Sequence, residues 1–451
     1  MNMSADVTES LFSTAAMTET FSIQRQLRAM ARFEWALSCA LEEQGIAEKG
    51  TATALEPLLD AAFVDVPRMM ADATQAGNIA IPFVRQLTAA VKGRNAGASH
   101  TVHFGATSQD VLDTALVLQI RDALQEIGSA VDVLDRALTA RVREHAGTVR
   151  AGRTWLQPGP PTTLGLKLAG TVAALRRHRT RIAAAAERVL VLQFGGAVGT
   201  LAALGPKGAS VSAGLARILQ LREPDLPWHS QRDNIVEMGQ VLALLVGSLG
   251  KFAKDIALLM QGEIGEVSEP TKEGRGGSST MPHKHNPVGS AVVLAAAARV
   301  PGLVATLLVA MPQEHERGLG LWQAEWETLP EIFRLTAAAL SRSIEIADGL
   351  EVHRARMRAN LDAMLGLPLS EAVSLALAPK IGRTAAHAIV RKASSEAVRT
   401  NQPLGTILRT IPEVVEHLSE NEIQRLMDPA EYLGSARRFI ERVLGDSDAS
   451  R

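Results

Sequence analysis

The sequence predicts an all-α protein, and two observations lead to this prediction. Apolar residues recur every three or four positions over long stretches, which is the pattern of one buried helical face. The 451-residue chain has one tyrosine and only 4% aromatic residues, while alanine and leucine are abundant. This composition lets helices pack closely and disfavours a β-rich fold. We therefore expect a central bundle of about five long helices.

The clearest of these helices begins near residue 109. Its apolar stripe comprises Leu116, Ile120, Leu124, Ile127, Val131, Leu134, Leu138 and Val142. A helix over residues 109–145 would be roughly 50 Å long at the usual rise per residue. Comparable patterns predict helices over residues 162–192, 234–260, 288–308 and 331–359.

Two stretches rich in small or helix-breaking residues, 93–99 and 365–368, flank this set of helices. They predict three domains. An N-terminal helical domain would span residues 1–103, and the central bundle with a mobile catalytic loop would span 104–363. A small C-terminal helical domain would span 364–451.

The charge balance predicts a small-molecule partner. The chain has 47 basic and 48 acidic residues, so no overall field favours nucleic acid or an anionic membrane. Cys39 is the only cysteine, which excludes an intramolecular disulfide and a cysteine-cluster metal site. A single cysteine also suits a reducing cytoplasm.

The N-terminus and the most apolar stretch both favour a cytoplasmic protein. Asp6 and Glu9 stand where a signal peptide would have a basic start and an apolar centre. Residues 288–311 are apolar, but Arg299 and Pro301 lie at their centre, which favours a helix packed against other helices over a membrane span.

Residues 276–287, with the sequence Gly-Gly-Ser-Ser-Thr-Met-Pro-His-Lys-His-Asn-Pro, are the most informative segment. Glycines at one end and prolines at the other predict a mobile loop. Lys284 and Asn286 supply a cation and an amide donor for developing negative charge, and a serine hydroxyl can transfer a proton. The alternative is a plain surface connection. His283 and His285 have no evident carboxylate partner, so we expect no metal.

Two further motifs place polar side chains beside predicted helices. Thr107 and Ser108 precede the longest helix, where free backbone donors and the helix dipole favour an anion; the alternative is an ordinary N-cap closed by Asp110. Thr154 and Gln157 lie in a turn before the next helix, and the alternative there is a loop with a helix-starting proline. The glycines of residues 195–200 lack phosphate-loop spacing and predict a turn.

Residues 103–114, 152–157 and 277–287 resemble, in the same order, the three signature regions of the fumarase/aspartase superfamily. The resemblance implies a three-domain, all-α fold and a homotetramer whose central helices form a common bundle. It also implies that each active site is assembled from three subunits and needs no cofactor.

Within the superfamily, residues 154–157, 191–196, 227–233, 312–317 and 321–327 look like the bacterial cycloisomerases that lactonise 3-carboxy-cis,cis-muconate. Adenylosuccinate lyases have a similar loop but usually carry histidine where this chain has Trp155. That histidine helps to protonate an amine or hydroxyl leaving group, which lactonisation lacks. The chain departs from the cycloisomerase pattern at Pro158, where histidine is expected, and at His285, where arginine is common.

The resemblance also implies roles for individual residues. Ser278 would transfer the proton, with Ser279 as the second candidate, and Lys284 and Asn286 would stabilise the negative charge. The substrate-binding set is Thr107, Ser108, Trp155, Gln157, Gln231, Arg232, Ser279 and Arg317. A structural ion pair is the alternative for Arg232. A β-eliminating lyase of the adenylosuccinate lyase type and a non-catalytic helical scaffold remain as alternative functions.

Overall fold

The computed structural model describes residues 7–270, 281 and 284–445, and nearly all regular structure in these ranges is helical. The helices of the N-terminal part are α1 (Val7–Phe12), α2 (Ala15–Thr20), α3 (Ile23–Glu43), α4 (Thr51–Leu55), α5 (Val66–Ala76) and α6 (Ala80–Lys92). Helix α3 begins after Ser22, whose hydroxyl accepts a hydrogen bond from the backbone N–H of Arg25. This side-chain cap satisfies one of the free donors of the first turn.

The central part contains the long helices. The five long helices are α7 (Ser108–Glu144), α8 (Leu164–Val189), α10 (Asp233–Leu259), α11 (Val288–Val309) and α12 (Leu321–Gly349). The shorter helix α9 (Gly208–Leu219) lies between α8 and α10, and α13 (Arg354–Asp362) follows α12. The predicted bounds of α7, α8, α10 and α11 agree with the structure to within a few residues. Every residue of the predicted α7 stripe is buried except Leu116, which is partly exposed.

The fifth long helix differs from the prediction at both ends. It was expected over residues 331–359, but α12 begins ten residues earlier and includes Pro330 in its interior. It ends at Gly349 because the chain then turns into a short strand instead of continuing as a helix.

The C-terminal part consists of α14 (Ser370–Ile381), α15 (Arg383–Thr400), α16 (Leu404–Leu408), α17 (Pro412–Val415), α18 (Glu420–Leu426) and α19 (Ala436–Leu444). Val373, Leu377, Val390, Leu404 and Leu408 belong to an apolar cluster that these helices build among themselves. Burial of this cluster stabilises the C-terminal helices, most of which are too short to be stable alone.

Two short antiparallel pairs interrupt the helical pattern. Strands β1 (Val149–Thr154) and β2 (Gln157–Thr163) form a hairpin, and β3 (Val267–Ser268) pairs with β4 (Glu351–Val352). The sequence predicted only a turn at the hairpin, because the prolines of β2 disfavour a strand. Gly152 lies opposite a bulge in β2, where Pro160 is the extra residue, and a Cβ atom on Gly152 would lie 2.6 Å from the carbonyl oxygen of Pro160.

The described chain divides into two compact units. The first comprises the residues up to Val131, with 178–247 and 295–341, and the second comprises 132–177, 248–294 and the residues from Arg342 onward. The division falls within each of the five long helices. The three predicted domains are continuous segments of the chain, whereas each compact unit combines several separate segments. The division into three domains therefore stays a prediction.

Helix α11 carries the most apolar surface. In the part of the chain that the structure describes, it is the one unbroken helix long and apolar enough to cross a membrane, but one such helix is weak evidence for a span. Only 33% of its most apolar window is buried. Val288, Leu308 and Val309 are among its exposed side chains, so the described residues leave much of the apolar surface of α11 uncovered.

Candidate active site

Thr107, Ser108 and Arg317 are brought together at the start of α7, in the first unit. Arg317 donates from Nη1 to Oγ1 of Thr107 at 2.8 Å, and from Nη2 to the carbonyl oxygen of Ala197 at 2.8 Å. Thr107 and Ser108 are both partly exposed. A fixed guanidinium thus adds to the free backbone donors and positive dipole end of a 37-residue helix. This arrangement suits a carboxylate ligand.

Asp110 holds the backbone around this site in place. Its buried carboxylate accepts hydrogen bonds from the backbone N–H groups of Thr107 at 3.0 Å, Gly195 at 3.0 Å and Gly196 at 2.9 Å. Oδ1 also lies 2.7 Å from Nε2 of His229. The bond to Thr107 is the N-cap interaction that the sequence offered as an alternative. Asp110 also fixes the turn at Gly195 and Gly196, and the carbonyl oxygen of Gly196 accepts a hydrogen bond from Arg317.

A histidine and a buried glutamate lie just before α7. Nδ1 of His103 is 2.5 Å from Oε1 of Glu34, and the backbone N–H of His103 donates to Oε2 of Glu34 at 3.0 Å. Burial lowers the pKa of His103, but the charge and hydrogen bond of Glu34 outweigh it, so the pKa is raised above its ordinary value. Sequence reasoning missed Glu34, because it is 69 positions from its partner and carries no local signal.

Arg232 has a structural role that its motif does not reveal. Its side chain is fully buried between two buried carboxylates. Nη1 donates to Oδ2 of Asp113 at 2.7 Å, and Nη2 donates to Oε2 of Glu325 at 2.6 Å. Nε also donates to Glu325 at 3.0 Å. These contacts favour the ion-pair alternative for Arg232 over the predicted binding of a substrate carboxylate. Its neighbour Gln231 is exposed directly before α10.

One guanidinium does not fully compensate the two carboxylates of this cluster. Burial raises the pKa of Glu325, and the charge of Asp113 raises it further. The charge and hydrogen bonds of Arg232 lower it, but the pKa of Glu325 remains above its ordinary value. Nε1 of Trp322 donates to Oδ1 of Asp113 at 3.0 Å, which satisfies a further acceptor. Arg232 thus joins the regions around α7, α10 and α12 within the first unit.

The hairpin that carries Trp155 and Gln157 belongs to the second unit. Trp155 and Leu156 form its two-residue turn with φ of 54° and 63°, and their exposed fractions are 98% and 75%. Gln157 is also exposed. Glu266 anchors β1, because its buried carboxylate accepts from Nε of Arg150 at 3.1 Å and from Nη2 of Arg153 at 2.5 Å. The ion pairs of Glu266 therefore fix β1, while the turn at the tip of the hairpin is exposed.

The loop residues are only partly described. Ser278 and Ser279, like His283, lie outside the described residues, while Lys284 is exposed and Asn286 is half-buried in the second unit. Glu269, which precedes the loop, accepts hydrogen bonds from the backbone N–H groups of Gly289 at 2.8 Å and Ser290 at 2.7 Å. This carboxylate joins the two ends of the segment and caps the start of α11.

Thr107, Ser108 and Arg317 thus adjoin one another, whereas Trp155, Gln157, Lys284 and Asn286 belong to the other unit. Over the ranges that the structure describes, no three histidine, cysteine, aspartate or glutamate side chains are grouped so as to hold a metal ion.

Comparison with protein families defines the class of this protein. A family model described as "Lyase" matches residues 5–302, and one described as "Adenylosuccinate lyase C-terminus" matches residues 366–443. The chain belongs to this lyase family, in the fumarase/aspartase superfamily that its motifs predict.

Its relatives include enzymes that act on 3-carboxy-cis,cis-muconate. The chain is 50% identical over 442 residues to the 3-carboxy-cis,cis-muconate cycloisomerase of Pseudomonas aeruginosa, covering 98% of this chain and 96% of the relative. It is 48% identical to the crystal structure of the 3-carboxy-cis,cis-muconate lactonizing enzyme from Pseudomonas putida, with a TM-score of 0.94 and 98% of each chain covered. The corresponding cycloisomerase structure from Acinetobacter calcoaceticus gives a TM-score of 0.93 at 41% identity, covering 97% of this chain and 99% of that one. The predicted all-α fold is confirmed.

Proposed function

We propose that this protein is a cycloisomerase that converts 3-carboxy-cis,cis-muconate to 4-carboxymuconolactone, in the protocatechuate branch of aromatic catabolism. The observation that carries the proposal is the 50% identity to a cycloisomerase over 98% of the chain. The anion site at the start of α7 agrees with a polycarboxylate substrate, because a guanidinium and a helix N-terminus both favour negative charge.

In the proposed reaction, one substrate carboxylate adds through oxygen to the conjugated double bond. The carbon–oxygen bond forms as the electron pair of the double bond moves towards another carboxyl group, giving an enolate-like intermediate. A proton is then delivered to the carbon alpha to that carboxyl group. Lys284 and Asn286 would stabilise the intermediate, and Ser278 would deliver the proton. No cofactor takes part in this scheme.

The remaining carboxylates of the substrate need further donors. Thr107, Ser108 and Arg317 would bind one of them at the start of α7, where their side chains and the helix end converge. Gln157, Gln231, Trp155 and Ser279 remain candidates for the rest of the pocket; of these, the three that the structure describes are exposed. We leave Arg232 out of this set, because its side chain is buried and paired with two carboxylates.

We further propose a cytoplasmic homotetramer in which three subunits contribute to each active site. Two exposed features support this assembly: the uncovered apolar face of α11 and the hairpin tip formed by Trp155 and Leu156. Apolar surface of this kind marks sites of association in proteins. Light scattering of purified protein should give a mass of four chains.

Product identification tests the function directly. Purified protein is incubated with 3-carboxy-cis,cis-muconate, and the product is analysed by proton NMR. Signals of the lactone ring, with loss of those of the diene, are expected. Unchanged substrate, with a folded protein, would contradict the proposal.

A further inference from the structure

A basic cavity of about 430 Å³ lies between α3 and α7 in the first unit. Arg25, Arg28, Arg32 and Trp35 follow one another at steps of three, four and three residues, so they share one face of α3. Arg121 of α7 also lines the cavity. This volume falls in the range of small-molecule sites.

The charges in this cavity do not cancel. Four arginines face one aspartate and one glutamate, which leaves two positive charges. Arg25 pairs with Asp122 at 3.0 Å, and Nε of Arg121 lies 4.0 Å from the same carboxylate. Glu56, the other acid, is exposed, as are Arg28 and Arg32, so the excess positive charge lies at the open side of the cavity. The cavity therefore favours an anion.

Two of the arginines have donors available for a ligand. Within the described ranges, Arg32 makes no hydrogen bond or ion pair, and Arg28 makes only a 3.4 Å contact from Nε to the carbonyl oxygen of Asp60. Burial lowers the pKa of Arg121, the charge of Arg32 lowers it further, and the charge of Asp122 only partly opposes these effects. Guanidinium groups bind carboxylates and phosphates through paired N–H donors.

The cavity also offers apolar surface. Trp35 is half-buried at one end of the arginine row, and Ala29 and Leu118 are buried in the lining. An aromatic side chain beside arginines can stack on a planar ligand while the guanidinium groups hold its charges. Arg121 is 13 residues along α7 from Ser108, about 20 Å at the helical rise. This cavity is therefore separate from the anion site at the start of the helix.

We propose that this cavity is a second anion-binding site that takes a small, planar molecule with two or more carboxylate or phosphate groups. The site does not depend on the proposed function of the protein. Arg28 and Arg32 hold the anionic groups, and Trp35 packs against the planar part.

Calorimetry with two probes tests the site. Benzene-1,2,4-tricarboxylate supplies a planar polycarboxylate, and inorganic pyrophosphate supplies phosphate charge without a planar part. The intact protein should bind the tricarboxylate more tightly than pyrophosphate. In the variant that combines Arg28→Gln with Arg32→Gln, this binding should weaken by about 10- to 100-fold, because two charge-assisted contacts are lost.

Matched variants separate this cavity from the active site. Arg68→Gln removes an exposed arginine outside the cavity lining and should leave binding unchanged. Trp35→Phe should weaken the tricarboxylate more than pyrophosphate. Equal affinity of the double variant and the intact protein for the tricarboxylate would overturn the proposal. It would also be overturned if neither probe bound to the intact protein. Where the tricarboxylate inhibits turnover competitively, it does so at the active site. That inhibition should therefore be the same in the double variant and in the intact protein.

Discussion

Replacing Arg232 with methionine should destabilise the protein strongly without acting on substrate binding directly. The substitution removes a guanidinium that is fully buried and bonded to Asp113 and Glu325 at distances of 2.6–3.1 Å. It leaves two carboxylates in the interior without their cation. Removing one partner of a buried ion pair costs about 3–5 kcal/mol.

This cost can be expressed as a change in melting temperature. At about 2.1 cal/mol/K per residue, the unfolding entropy of a chain of this length is roughly 0.9 kcal/mol/K. A loss of about 3–5 kcal/mol then lowers Tm by about 3–5 °C. Differential scanning calorimetry of the intact protein and of Arg232→Met, at the same protein concentration and scan rate, measures this shift.

The pH dependence of the change in Tm tests whether the unpaired buried carboxylates cause it. Without Arg232, the charge and hydrogen bonds that oppose the effect of burial on Glu325 are lost, so the pKa of Glu325 rises further above its value in the unfolded chain. Groups with a raised folded pKa stabilise the fold when protonated at low pH, and this contribution is lost as pH rises through the folded pKa. The Tm deficit of the variant should therefore be larger at pH 8 than at pH 5.5.

Arg188 provides the matched control. It pairs with Glu237 through contacts of 2.5 and 2.6 Å, which resemble those of Arg232, but the two side chains are 49% and 35% exposed. Arg188→Met should leave Tm unchanged, because solvent replaces the lost partner. An unchanged Tm in Arg232→Met, together with a raised KM, would refute the structural role and restore the substrate-binding one.

Four further predictions concern the candidate site. Ser278→Ala should lower kcat by about 10²-fold or more, because it removes the proton donor. Lys284→Met should lower kcat more than it raises KM, because it removes the cation that stabilises the developing charge. Nearly unchanged turnover by either folded, tetrameric variant would remove the corresponding assignment. Arg317→Ala should raise KM by about 10-fold or more by removing a charge-assisted contact, and an unaltered KM would place Arg317 outside the pocket. Glu34→Gln should lower the pKa of His103, so the variant should lose more stability at pH 6 than at pH 9; calorimetry at the two pH values measures this, and equal losses would contradict it.

The long helices were predictable because their signal is local and repeated. The α7 stripe continues over 27 residues from Leu116 to Val142, and nearly all of it is buried. The end of α12 was not predictable in this way, since it depends on the pairing of Glu351 and Val352 with residues more than 80 positions earlier.

The same distinction applies to the candidate site. Thr107 and Ser108 were recognised because the start of a helix has a local signature. Arg232 was placed in the pocket because its motif shows residue types but not burial, and its partners are 93 and 119 positions away. The β1–β2 hairpin was missed because its second strand contains prolines that normally disfavour pairing. Long-range contacts decide the role of Arg232, whereas the hairpin is local and was missed because of its composition.

Comparison of two substrates tests the central claim most directly. Turnover of 3-carboxy-cis,cis-muconate is followed by the loss of its diene absorbance, without added metal, beside turnover of adenylosuccinate under the same conditions. The account predicts rapid loss of the diene absorbance and no cleavage of adenylosuccinate, because Trp155 stands where the lyases have histidine. Cleavage of adenylosuccinate with no turnover of the muconate would contradict it.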